Sequence, residues 1–128
     1  MLRACRRVLK PGGRIAYFNI FISHDVPQEE QRYFARFNRG QYSRAEQAGL
    51  LRSAGFVRIK ETDVTPEYLR VQRALYQANE RHARSLRRAL GAAKFEEHQA
   101  NRQRTLRGIE TGVLRRALFF AERPARGV

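Results

Sequence analysis

His24 and Asp25 stand side by side, and a histidine next to a carboxylate can orient a substrate or accept a proton near neutral pH. They follow the run Arg14 to Ile22, nearly all apolar and rich in aromatic and β-branched residues, which predicts a strand. Open α/β sheets bind ligands beyond the carboxyl ends of their strands, so the pair lies where chemistry can be done, although such a pair is more often just a solvated loop. Asn19 and Ser23 bring polar groups to the end of the same run, where they either line a pocket or mark the point at which the strand meets water. Further on, Tyr33, Phe34, Phe37 and Tyr42 interleave with Arg32, Arg36, Arg39 and Arg44. Such a segment can stack on a flat or anionic ligand, or it can pack a short amphipathic helix onto a sheet. With Tyr76, on a helical stretch described next, the candidate substrate-lining residues are Asn19, Ser23, His24, Tyr42 and Tyr76. His82 and His98 have no third ligand at helical or loop spacing, so no metal site is predicted, and no residue is assigned as catalytic.

The elements that must position these groups can be read along the chain. Leu2, Cys5, Val8 and Leu9 recur at helical spacing among Arg3, Arg6 and Arg7, and Pro11-Gly12-Gly13 ends that helix in a tight turn before the strand 14–22. The near-continuous apolar character of this strand suggests cover on both faces, as in a parallel α/β sheet. Pro27 with Glu29 and Glu30 opens a short helix to about Phe37. Ser43 and Glu46 have the spacing of a capping box, and the helix they open closes at Gly55, followed by a strand from Phe56 to Val64. Thr65-Pro66 reads as an N-cap and first helical residue. Leu69, Tyr76, Ala83 and Leu90 lie seven apart in the helix that follows, a second helix spans about 93–107 beyond Gly91, and Leu114 to Glu122 is a last strand before Pro124.

Composition narrows the partners. The 128 residues include 26 Lys and Arg against 12 Asp and Glu, a net charge of +14. A balance this basic raises nucleic acid as a partner through counterion release. The charge is spread, however: residues 1–65 hold 12 basic and 6 acidic groups and residues 66–128 hold 14 and 6, so neither half is a basic tail. Of the 26 cations 23 are arginine, a skew that genome composition could produce without selection for phosphate binding. No apolar run approaches the roughly 20 residues that cross a bilayer, and nothing near Met1 has the apolar core of a secretion signal. Cys5, the sole cysteine, excludes an internal disulfide and reads as a small core hydrophobe, so a cytoplasmic setting is expected.

Three segments in order resemble the C-terminal half of a class I S-adenosylmethionine-dependent methyltransferase, a Rossmann-like α/β fold. Arg6-Arg7-Val8-Leu9-Lys10-Pro11-Gly12-Gly13-Arg14 is similar to the turn before the family's fifth strand. Leu50-Leu51-Arg52-Ser53-Ala54-Gly55-Phe56 is similar to the end of its fifth helix, and Leu114 to Pro124 to its final strand. The resemblance implies an α/β fold with a partial sheet of about three strands ordered 14–22, 114–122, 57–64, the last strand inserted antiparallel, and a lid-like helical insertion at 66–107. It implies S-adenosylmethionine as the parent family's cofactor and a small molecule as methyl acceptor.

The family's cofactor-binding segments all precede the Lys-Pro-Gly-Gly turn, and only nine residues do so here. None of the nine glycines forms a G-x-G-x-G or G-x-G-x-x-G pattern. A truncated form, contributing the substrate-side half and inactive alone, is therefore expected, since a whole enzyme needs about 200 residues or more. Strand 14–22 then becomes an edge that should recruit a second copy of the chain or a complementary N-terminal half. The alternative is a non-enzymatic module that binds nucleic acid or a protein partner through the basic helices 66–107.

Overall fold

The computed structural model describes residues 1–36 and 46–125. Six helices and three strands follow one another as α1 (Leu2–Val8), β1 (Arg14–Ile22), α2 (Gln28–Arg36), α3 (Gln47–Ser53), β2 (Val57–Asp63), α4 (Thr65–Arg81), α5 (Ala83–Leu90), α6 (Ala92–Glu110) and β3 (Leu114–Glu122). β3 lies between the other two strands, giving the order β1-β3-β2 expected from the resemblance. Both pairings are antiparallel, so β1 and β2 run parallel to each other across β3.

Side chains alternate across this sheet, and each face has its own core. On one face Ala117, Phe119 and Ala121 of β3 meet Leu51, Ala54 and Phe56, with Ile15, Tyr17 and Phe21 of β1 and Leu2, Cys5 and Leu9 of the α1 region packed around them. Cys5 is thus a core-facing residue, as its type suggested. On the other face Ile22, Leu114 and Val113 meet Phe34 of α2, Tyr68 of α4 and Ile109 of α6.

Helix ends explain most boundaries. After α3, Gly55 at φ +91° lets its N–H reach Arg52 O (3.0 Å) while Phe56 N–H reaches Leu51 O (3.0 Å), a Schellman motif. The same arrangement closes α6, where Gly112 bonds Ile109 O and Val113 bonds Gly108 O. That stop carries α6 to Glu110, three residues beyond the end read from the sequence.

Other expectations need correction. Glu46 precedes α3 without a side-chain capping bond, and its carboxylate instead lies 3.6 Å from Arg52; Ser43 is outside the described residues. Thr65 is not the N-cap of α4, because Val64 holds that position. The Thr65 N–H donates to Asp63 Oδ1 (2.9 Å) and the Arg116 N–H donates to Thr65 Oγ1 (3.1 Å), so Thr65 ties the helix start to both β2 and β3. The long helix is also interrupted within the heptad spacing: it breaks at His82, so Leu69 and Tyr76 lie on α4 while Ala83 and Leu90 lie on α5. Finally, β1 is not covered on both faces. Ala16 is exposed and Phe18 retains 53% of its surface, because the helices on that face roof only the Ile20 and Ile22 end of the strand.

Candidate functional site

The register of the ladder fixes which backbone groups of β1 are free. Ser23 N–H donates to Val113 O (2.7 Å) and Arg123 N–H to Gly13 O (2.8 Å), so odd-numbered residues of β1 exchange hydrogen bonds with β3. The N–H and C=O groups of Arg14, Ala16, Phe18 and Ile20 therefore point away from β3, toward an edge that no strand covers among the described residues. Along this edge runs a groove of about 780 Å³ between α1 and α3, lined by Met1, Leu2, Cys5, Ile15, Tyr17, Phe18, Asn19 and Leu50 among others. Phe18, at its rim, is held from one side by the Arg116 guanidinium 4.1 Å from its ring centre.

Asn19 opens into this groove, and its Oδ1 is buried without a hydrogen-bond partner among the described residues. Two positions back on the same face, the Tyr17 hydroxyl donates to Gln47 Oε1 at 2.9 Å. Burial raises the Tyr17 pKa, which keeps the phenol a donor. Tyr17 and Gln47 escaped the sequence reading, although Tyr17 could have been found from its strand alternation with Asn19.

Past the end of β1 the chain turns tightly. Ser23 is buried, and its Oγ accepts the Asp25 N–H at 3.1 Å, so the residue organises the turn. The buried Gln31 amide donates to Val26 O (2.9 Å) and His24 O (3.4 Å), fixing the loop against α2. The exposed His24 borders a small cavity of about 110 Å³ with Phe21, Glu46, Gln47, Ala48, Glu61 and Phe119. Imidazole and two carboxylates thus surround an aromatic wall at the carboxyl ends of β1 and β2, a setting that offers proton acceptors to a small ligand. Gln47 lines both this cavity and the groove, so Asn19 and His24 share one surface.

Tyr76 belongs to another neighbourhood. Its hydroxyl accepts from Gln103 Nε2 at 2.7 Å and its carbonyl from Gln99 Nε2 at 3.4 Å, both on α6. Eight residues separate it from the core residue Tyr68, about 12 Å along the helix. Tyr42 lies outside the described residues. Among the described residues no group of three His, Cys, Asp or Glu side chains is placed to hold a metal ion, and no helix is long and apolar enough to cross a membrane.

No protein-family profile matches the chain and no curated protein matches it, but solved structures do. Phosphoethanolamine N-methyltransferase 2 of Haemonchus contortus, solved with phosphomonomethylethanolamine and S-adenosylhomocysteine, superposes with a TM-score of 0.83 at 17% identity. The match covers 96% of this chain and 29% of that one. The cyclopropane synthase MmaA2 of Mycobacterium tuberculosis gives 0.81 at 13% identity, over 95% of this chain and 48% of that one. The fold is that of part of an S-adenosylmethionine-dependent methyltransferase domain. The chain spans between about a third and a half of the length of these structures, and the methyltransferase-like sheet is accordingly partial.

Among the described residues no turn from strand to helix supplies a glycine loop for the cofactor. A helix N-terminus cradles an anionic or nucleoside ligand where a glycine loop joins a strand to that helix. Here Gly12, Gly55 and Gly112, with positive φ, lie at turns from helix to strand, and Gly91 lies between two helices. The strand-to-helix junctions, residues 23–27 and Val64, contain no glycine.

Proposed function

We propose that this chain is the substrate-side part of an S-adenosylmethionine-dependent methyltransferase, and that the uncovered edge of β1 is the seat of a complementary cofactor-binding half. The observation that carries this reading is the edge itself: four residues with outward backbone groups, beside an apolar groove, on a strand whose fold relatives are two to three times longer. In the assembled enzyme Asn19, Ser23 and His24 would line the acceptor side, with 66–107 acting as a lid. Methyl transfer is in-line displacement at a sulfonium, so the protein's contribution is chiefly positioning. A bound cofactor would supply the methyl group; His24 would accept a proton where the nucleophile must lose one, and the Asn19 oxygen would accept a hydrogen bond from the acceptor or the docked half.

By this reading the 128 residues alone bind no S-adenosylmethionine and transfer no methyl group. Isothermal titration of the chain with the cofactor tests it. No heat of binding is expected, and micromolar affinity would overturn the assignment of cofactor binding to another half.

A further inference from the structure

Of the α1 arginines only Arg3 reaches the groove along β1, with Ser53 and Ala54; Arg6 and Arg7 do not line it. Arg3, Arg6 and Arg7 line one open cleft of about 580 Å³ against Ser53, Ala54 and Gly55, at the C-terminal end of α3. A guanidinium at a helix C-terminus ordinarily satisfies the last carbonyls. Here three of those carbonyls are taken: Leu50 O accepts from Ala54, Leu51 O from Phe56 and Arg52 O from Gly55, each at 3.0 Å. Nor do they pair with a carboxylate side chain among the described residues. Residues 37–45 and 126–128 contain no Asp or Glu.

Arg6 is nonetheless held in place. A Cβ on Gly55 would lie 2.8 Å from Arg6 Nε, so the glycine leaves the space that the guanidinium occupies. Arg123 Nη1 donates to Arg6 O (3.0 Å) and also to Leu9 O, which anchors the end of α1 to β3. Yet Arg6 Nε is buried with no hydrogen-bond partner among the described residues, a donor that is costly to leave unused.

We propose that this cleft binds a phosphate group. Converging guanidiniums present forked N–H donors that match tetrahedral phosphate oxygens. Three full charges outweigh the roughly half negative charge at the end of α3. A lone carboxylate would be satisfied by one guanidinium, whereas a phosphate uses several, with the Ser53 hydroxyl as a neutral donor beside them. The ligand is a phosphate carried on a small molecule or a nucleotide, and the site stands apart from methyl transfer.

The test is titration of the 128-residue chain at low salt with inorganic pyrophosphate, AMP and a short single-stranded oligonucleotide, followed by calorimetry and by the amide resonances of Ser53 and Gly55. Arg3 and Arg7 are exposed, so Arg3→Gln/Arg7→Gln removes two donors while leaving the packed Arg6 in place. Arg84→Gln/Arg88→Gln on α5 removes the same charge elsewhere. Saturable pyrophosphate binding that shifts both resonances, weakened about tenfold or more in the first variant and by much less in the second, is the expected result. AMP binding with the same dependence assigns a small-molecule source. An oligonucleotide that binds more tightly with that dependence assigns the phosphate to a nucleic-acid backbone. Absence of saturable binding by every probe, or equal weakening in both variants, overturns the proposal.

Discussion

The two edges of this sheet are built in opposite ways. β2 is exposed at six of its seven positions and carries Arg58, Lys60, Glu61 and Asp63. Between Val57 and Lys60 two of its residues oppose one of β3, and Arg58 sits there at φ +51°. Charge and a bulge are how proteins keep a free edge from adding another strand. β1 has neither device: its nine residues pair with β3 in unbroken register, and between Arg14 and Ile22 no side chain is charged. One edge carries the charge and the bulge that suit water and the other carries neither, within one sheet and with one strand between them.

The largest expected effect comes from the strand that both edges share. Phe119 is 2% exposed, stacks on Tyr17 with ring centres 5.6 Å apart, and lines the cavity beside His24. Phe119→Ala should destabilise the fold by about 3–5 kcal/mol, the range for large-to-small changes of a buried aromatic. A chemical-denaturation midpoint checks this, and both edges should be lost together in one transition.

The second prediction separates the edges. The isolated chain should self-associate through β1, and Phe18→Lys should return it to monomer by placing a charge on the open edge without touching a bond to β3. Glu61→Lys, an outward position on β2, should leave association unchanged. Light scattering across a concentration series reads both, with a shift of about tenfold or more in the dissociation constant for the β1 variant alone. A wild-type chain that is monomeric and melts cooperatively would show that β1 needs no cover.

How much of this contrast was legible follows from how locally each feature is encoded. Strands 14–22 and 114–122 could be bounded to the residue because an apolar run between a Gly-Gly turn and a polar loop, or between Gly112 and Pro124, leaves little freedom. Gly55 announced the end of α3 for the same reason: a positive φ selects glycine. The break at His82 had no such marker, since neither glycine nor proline stands there, and the seven-residue spacing ran straight through it. The bulge at Arg58 was equally hidden, because tertiary pairing with β3 puts an ordinary residue into a left-handed conformation. For the candidate site, the positions of Asn19, Ser23 and His24 at the end of β1 followed from strand alternation. Their neighbours Gln47 and Glu61 come from α3 and β2, distant in sequence, and only the fold brings them together.

A pH dependence marks the β2 edge. Burial alone would raise the Asp63 pKa, but hydrogen bonds from the Thr65 hydroxyl and backbone and from Arg115, 2.5 Å away, lower it below the ordinary value. A carboxylate with a depressed folded pKa contributes stability that is present above its unfolded value near 4 and is lost as pH falls through the folded value. The wild-type melting temperature should therefore decline on acidification below about pH 4 more steeply than that of Asp63→Asn. The effect is small because the pair is solvent-exposed.

The smallest expected effect tests whether the bulge, rather than the charges, protects β2. Arg58 holds a left-handed conformation that L-residues adopt at a cost, and its ion pair with Glu122 at 3.6 Å leaves the arginine side chain mostly in water. Arg58→Gly relieves the strain but loosens the unfolded chain, so the net gain in stability should be about 0.5 kcal/mol or less. Association should not change, because the bulge remains and Lys60, Glu61 and Asp63 still line the strand. A variant that associates more tightly than the wild-type chain would mean that the Arg58 charge, and not the kinked backbone, is what keeps this edge free.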